Sequence, residues 1–326
     1  MTATRVPAMA EVINATLADM LAEDPRILLA GEDIGRLGGV FRVTRGLRDR
    51  FGADRVRDAV LAESSIIGSA IGMSIAGLIP ICEIQFDGFV YPATNQIVTQ
   101  ASRMVGRWNG DLELPLVVRI PTGGGVRGVE HHSESNESLF ARVPGISVAC
   151  PSTPEDASQL LRHSITLGHP VVFYEPIRLY WRRNLPARTT DVPASPMAAR
   201  VARTGSDLTV VTFGAVTNEV LTAAEAVAGE VDVEVIDLRW VAPIDTAAVL
   251  ESIGRTGRLL IVHEAVKFGG IGAEVAATIA EDGFELLRTP IRRLAPDRVH
   301  YPPADFEEGY LVGVEQIARA IRGMVA

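Results

Sequence analysis

Apolar positions along the chain recur with two periods, and each period predicts a different element. Met9, Val12, Ile13, Leu17, Met20 and Leu21 are spaced as one face of a helix, which stops before Asp24-Pro25. Ile27-Leu28-Leu29-Ala30 then reads as a short strand. The alternation continues with a helix over 65–76, a strand over 81–86, a helix over 92–104 and a strand over 116–120. A strand over 146–149, a helix opened by Ser152-Thr153-Pro154-Glu155-Asp156 and a strand over 170–174 follow. The strands are unbroken apolar runs, so both faces are covered, which predicts mostly parallel sheets between layers of helices. Periodicity fades from Trp181 to about Ala199, where prolines 186, 193 and 196 cluster, and this stretch is expected to link two domains. A second series then places strands at 208–213, 232–237, 259–262 and 290–294, with helices at 218–227, from 245, at 272–280 and at 314–324. The expected fold class is α/β, built as two three-layer α/β domains over 1–185 and 201–326 with a linker over 186–200.

Composition narrows the choice of function. The 326 residues are 47% hydrophobic and 22% charged, in the range of an ordinary globular protein. A net charge of −9 speaks against binding to a phosphate backbone, so no nucleic acid partner is expected. The uncharged stretch from Ser64 to Cys82 is interrupted by three glycines and Pro80, and it reads as a buried helix followed by a buried strand rather than a membrane span. Cys82 and Cys150 stand in neither a C-x-x-C pair nor zinc spacing, so a reducing, cytoplasmic setting is expected and no metal ligand set is assigned.

Several segments carry candidate chemistry. Gly123-Gly124-Gly125-Val126-Arg127-Gly128 satisfies G-x-G-x-x-G after a strand, yet no acidic residue lies about 20 positions on to take a ribose hydroxyl. A nicotinamide site there is the minor reading, against a loop near a ligand. His131-His132-Ser133-Glu134 follows, without a G-x-S-x-G elbow or an H-E-x-x-H helix to make it a hydrolase or zincin. Glu63 precedes a helix of small residues, where it is either a cap or a functional acid; Gly68 and Gly72 on that helix allow a close backbone neighbour. Glu83, Gln85, Phe86, Asp87, Phe89 and Tyr91 mix polar and aromatic groups after a buried strand, a lining suited to a ring-shaped ligand.

Read in order, Gly31-Glu32-Asp33-Ile34-Gly35, Gly38-Gly39-Val40-Phe41-Arg42-Val43-Thr44, Leu61-Ala62-Glu63, the segment 83–89 and His131-His132-Ser133-Glu134-Ser135 resemble the β subunit of thiamine-diphosphate-dependent 2-oxoacid dehydrogenases. The resemblance continues through Asp237-Leu238-Arg239, Ala242-Pro243-Ile244-Asp245, Val262-His263-Glu264-Ala265 and Tyr301-Pro302-Pro303-Ala304. It implies a transketolase-like aminopyrimidine-binding domain followed by a transketolase C-terminal-like domain. Glu63 would be the acid that bonds N1′ of the aminopyrimidine and favours its imino tautomer, with Phe89 against the ring and Leu61 and Gln85 beside it. His132 would orient or protonate intermediates during acyl transfer to lipoamide, and Glu32 would belong to a polar tunnel between paired sites. Asn95 stands where aspartate is usual, which puts an acidic relay in question, and Ser69 stands where an apolar residue is usual.

No G-D-G with a later asparagine is present, so the magnesium-diphosphate half of the cofactor is expected to be held by an α subunit in an α2β2 tetramer. A dihydrolipoyl acyltransferase and its lipoyl domain would be further partners. Structural potassium is found in some relatives, and no side-chain pattern marks it here. The expected activity is oxidative decarboxylation of pyruvate or a branched-chain 2-oxo acid with reductive acylation of lipoamide. An acetoin dehydrogenase or other transketolase-like subunit, a noncatalytic assembly subunit and a nucleotide-dependent oxidoreductase are the alternatives.

Overall fold

A computed structural model describes residues 6–189 and 192–325. The first half holds β1 (Ile27–Gly31), β2 (Val56–Asp58), β3 (Ile79–Glu83), β4 (Val117–Thr122), β5 (Ser147–Ala149) and β6 (Val171–Pro176). Its helices are α1 (Met9–Glu23), α2 (Leu47–Phe51), α3 (Glu63–Ile75), α4 (Ser102–Arg107), α5 (Glu137–Ala141) and α6 (Pro154–Ser164). The second half holds β7 (Arg200–Arg203), β8 (Leu208–Thr212), β9 (Val233–Asp237), β10 (Trp240–Ala242), β11 (Leu259–Val262) and β12 (Arg292–Leu294). With these run α7 (Thr217–Ala226), α8 (Thr246–Thr256), α9 (Ile271–Asp282), α10 (Glu307–Tyr310) and α11 (Val314–Val325).

The strands form a seven-stranded sheet, ordered β10-β5-β6-β4-β3-β1-β2, and a five-stranded sheet, ordered β12-β11-β8-β9-β7. All neighbours are parallel except β7 against β9 and β10 against β5. Strand β10 is the surprise, because the second half of the chain supplies the edge of the first sheet. Three residues bounded by bends leave little periodic signal, and the pairing joins segments about ninety positions apart.

Alternation along β1 explains the three layers. Ile27 and Leu29 join the core with α1 and α6, while Leu28 and Ala30 join the core on the α3 side. That second core runs on into the α8 and α9 face of the other sheet through Ile236, Val249, Ile261 and Val275. A third core lies under α7 and α11. Local chemistry starts the helices as expected: Thr153 Oγ1 accepts the Asp156 amide at 3.0 Å with Pro154 behind it, and Asp245 does the same for α8.

Two expected elements differ. The strand expected over 81–86 runs over 79–83 instead, and the chain leaves the sheet at Ile84. The helix expected over 92–104 is a short turn at Tyr91–Ala93, a π-helical segment at Asn95–Ala101 and then α4. Hydroxyls compete for its backbone carbonyls, with Thr94 on Val90, Thr99 on Asn95 and Ser102 on Val98. The stretch from Ser64 to Cys82 divides between α3 and β3, and no helix among the described residues is long and apolar enough to cross a membrane.

Candidate active site

The carboxyl ends of the parallel neighbours β1, β3 and β4 lie side by side in the sheet, and the crevice outside such strand ends is the usual place for ligands in parallel α/β sheets. Its floor is ionic. Arg119 on β4 is fully buried, donates through Nε and Nη2 to Glu175 at 2.7 and 2.8 Å, and through Nη1 to Glu83 at 2.9 Å. Tyr180 donates to Glu175 at 2.5 Å. Burial works against the Arg119 charge, but Glu175 and Glu83 outweigh it and hold the guanidinium protonated. Burial pushes Glu83 up, with Arg119 pulling the other way. Glycines at 38 and 39, both at φ +78°, bring the loop over this floor, and Phe41 packs its ring against Phe86 and Tyr180.

On the rim, Glu32 follows β1 and is only 7% exposed. Its Oε1 is buried without a hydrogen-bond partner among the described residues, and its carboxyl is pushed upward by burial, then by the charge of Glu63 and by Asp33. Glu63 is the first residue of α3 and is half-buried. The structure therefore brings together two acids that lie 31 positions apart in sequence.

An aromatic and imidazole patch forms where the chain leaves β3. Phe89 ends a short turn at Asp87–Phe89, and its centroid lies 5.4 Å from His132, which in turn lies 4.1 Å edge-on from Phe86. His131 is 4.4 Å from His132 and 5.6 Å from Phe89. His132 Nδ1 is buried and has no hydrogen-bond partner among the described residues. Burial and the neighbouring His131 lower the His132 pKa, with Glu130 opposing, so the imidazole is neutral near pH 7. Gly88 is required here, because a Cβ would collide with the His131 carbonyl.

Gln85 sits half-buried between β3 and this patch, while Leu61 is 82% exposed at the outer lip. Asn95 opens the π-helical segment and accepts from Thr99 at 2.7 Å. The segment packs against α3, and Gly68 admits the Gln96 side chain.

Arg119, Glu175 and Tyr180 were not singled out from sequence. Arg119, a lone charge inside the apolar run of β4, was the available signal for the floor. Asp87 Oδ2 accepts from Thr122 Oγ1 at 2.7 Å and from the Asn136 amide at 2.8 Å, tying the histidine loop to β4. Burial pushes Asp87 up to about 7. No group of three or more His, Cys, Asp or Glu able to hold a metal occurs among the described residues.

Comparison with known proteins matches the same two halves. Residues 5–182 fit the transketolase pyrimidine binding domain and residues 197–317 fit the transketolase C-terminal domain. The chain is 43% identical over 314 residues to a pyruvate dehydrogenase E1 component subunit beta of Leifsonia xyli, covering 96% of this chain and 93% of the relative. It is 44% identical over 312 residues to a 3-methyl-2-oxobutanoate dehydrogenase subunit beta of Mycobacterium tuberculosis, covering 95% and 89%. A 2-oxoisovalerate dehydrogenase subunit beta of Bacillus subtilis is 41% identical over 317 residues, covering 96% of each chain. A solved structure described as a split gene transketolase, inactive beta4 tetramer, shares the fold at TM-score 0.79 and 21% identity, covering 98% of both chains. The chain belongs to the transketolase-like family of 2-oxoacid dehydrogenase E1 β subunits, thiamine-dependent oxidoreductases.

Proposed function

We propose that the crevice holds the aminopyrimidine half of thiamine diphosphate, and that the chain completes an active site together with an α subunit. The observation that carries this reading is the acid pair at the strand ends: Glu63 at the head of α3 acts electrostatically on Glu32, whose buried Oε1 has no partner among the described residues. A shielded carboxyl beside a second negative charge is one whose neutral, hydrogen-bond-donating form is favoured, and Glu32 meets that description. Phe89 offers the apolar face for the ring, with Gln85 and Leu61 beside it. The group supplies, when bound, an electron sink for decarboxylation of a 2-oxo acid.

The work of the chain's own residues follows from their positions. Glu63 is placed to bond the ring nitrogen, and Glu32 lines the same strand-end region beside it. His132, neutral and edge-packed between Phe86 and Phe89, is placed to accept or return a proton as the acyl group leaves for lipoamide. Magnesium and the diphosphate are assigned to the α subunit in an α2β2 assembly, with a dihydrolipoyl acyltransferase as the acceptor component and the cytoplasm as the setting. A potassium ion is not assigned to any residue.

The substrate is a 2-oxo acid of the pyruvate or branched-chain class, since relatives named for both match at 43% and 44% identity. The test is co-expression with the α subunit, followed by decarboxylation assays on pyruvate and 3-methyl-2-oxobutanoate with thiamine diphosphate and magnesium, wild type beside Glu63→Gln. Turnover that needs both chains and collapses in the variant supports the reading. Full activity of Glu63→Gln would remove this acid from the chemistry.

A further inference from the structure

The glycine loop at 123–128 has the shape of an anion site, and the second half of the chain fills it. Gly123 and Gly125 lie at φ +84° and +90°, and Arg127 at φ +56°. Successive residues of alternating hand turn their amides to one side, making a concave nest of N–H donors that binds anions. The anions here are carboxylates from the C-terminal half. The amide of Gly125 donates to Glu307 Oε1 at 3.0 Å, and that of Arg127 reaches Oε1 and Oε2 at 3.1 and 3.2 Å. The amide of Gly124 donates to Glu264 Oε1 at 2.7 Å.

Both carboxylates are held in place from behind. Glu307 is 5% exposed and accepts the Tyr301 hydroxyl at 2.7 Å, while Glu264 pairs through its other oxygen with Arg178 at 3.0 Å. The loop cannot carry side chains here, because a Cβ on Gly124 would collide with the Tyr301 hydroxyl and one on Gly123 would press on Glu264. A few residues on, the same loop becomes the turn Glu130–His132. Gly128 lies against the Cβ of His132 and the hydroxyl of Ser133, and Gly123 is tied to the Glu134 carbonyl at 2.9 Å. The clamp thus grips the histidine segment at both of its ends.

From this we infer that Glu307 and Glu264 are positioning residues for His132: the C-terminal half sets the histidine loop by seating two carboxylates in its N–H nest. The G-x-G-x-x-G sequence serves an internal anion rather than a nucleotide phosphate. The inference rests on the proposed role of His132 in acyl transfer. A loop displaced by about 1 Å can cost up to a hundredfold in a positioned proton transfer.

The experiment uses the α/β complex and two acceptors, free lipoamide and a one-electron dye that takes electrons without acyl transfer to lipoamide. Glu307→Gln keeps the shape but loses the charge that draws the amides. It is expected to lower lipoamide-dependent turnover about tenfold more than dye-coupled turnover, with a shift in the pH profile of the lipoamide reaction. In a His132→Ala background the same substitution should add less than about twofold, because both changes act through one group. Tyr301→Phe, which removes one donor to Glu307, should show the same selectivity to a smaller degree, and it carries the test if Glu307→Gln fails to assemble. Hydrogen exchange in the complex at Gly125 and Arg127, whose amides donate to Glu307, should quicken about tenfold in Glu307→Gln and by less in Tyr301→Phe.

Equal loss in both assays, additive loss on His132→Ala, or unchanged exchange at these amides would each overturn the clamp. Should His132→Ala itself leave lipoamide turnover intact, the assignment of His132 falls, and the exchange rates still report whether the clamp exists.

Discussion

The floor and the rim of the crevice lie side by side and are built on opposite terms. On the floor, Arg119, Glu83, Glu175 and Tyr180 satisfy one another within a single chain, and every charge has a short, direct partner. On the rim, Glu32 Oε1 and His132 Nδ1 are buried without partners among the described residues, and Leu61 stands 82% exposed. A complete buried ion cluster fixes geometry, whereas unpaired buried groups are held at a cost that only a function explains. The floor ties three strands of this chain together, and under the proposed function the rim is what it would offer to a cofactor and another subunit.

The sharpest way to break that division is to neutralise one residue on each side. Glu63→Gln, on the rim, should lower decarboxylation by the assembled complex about 10²- to 10⁴-fold, the range for losing a positioned acid. Its melting temperature should barely move, because the side chain is half-exposed and makes no floor contact. Steady-state assays and thermal melts on the same samples decide it; a large melting shift would place Glu63 with the floor.

Arg119→Met is the converse. It leaves Glu83 and Glu175 buried without their cation, and removing one partner of such a cluster costs about 3–5 kcal/mol. Loss of soluble chain, or a melting transition lowered by roughly 5–15 °C, is expected whether or not cofactor is added. A variant that folds normally and fails only in catalysis would move the floor into the functional machinery.

How far the sequence revealed this contrast depends on the range of the interactions involved. The apolar runs of β1, β3 and β4 were legible because burial on both faces leaves few polar residues to interrupt them, Arg119 being the exception inside β4. Glu63 and Phe89 were singled out as candidates through a resemblance carried by several motifs in order. The floor was half visible: Arg119 stands out inside β4, but its partners come from β3 and β6, and only the sheet order joins them. The clamp on the glycine loop was invisible, since Glu307 lies 182 positions from Gly125 and its role depends on how the two halves pack. The π-helical segment at 95–101 escaped because its apolar spacing suits an α-helix and the deviation arises from hydroxyls on the backbone.

A third test concerns pH and reaches the ground between the two regions. Glu137, at the start of α5, is 4% exposed, and burial pushes its carboxyl up to about 8, with Asp87 and Glu264 adding repulsion and a backbone hydrogen bond opposing. A raised folded pKa means that the native state binds a proton the unfolded chain has already lost. Its contribution to stability is full below the ordinary carboxyl range and fades as pH rises through about 8. Glu137→Gln should therefore match wild type near pH 4.5 and exceed it by about 1–3 kcal/mol at pH 9, read as melting temperature against pH. Parallel curves for the two proteins would show that Glu137 is ionised in the native state at neutral pH.

The smallest effect tests the rim's outward side. Leu61 is 82% exposed, so Leu61→Ala should change the stability of the chain alone by no more than about 0.5 kcal/mol. If the lip of the crevice is completed by an α subunit, the same side chain is covered there, and truncating it should weaken the assembly by about 1–2 kcal/mol, the worth of a buried leucine's lost methyl groups. Titrating the α subunit against each β variant separates the two quantities, since chain stability and assembly are measured independently. Weaker assembly with unchanged chain stability would extend the contrast from the crevice to its mouth: a floor closed by this chain and a lip closed by its partner. Equal assembly would confine the partner's contribution to the region inward of Leu61, toward Glu63 and Glu32.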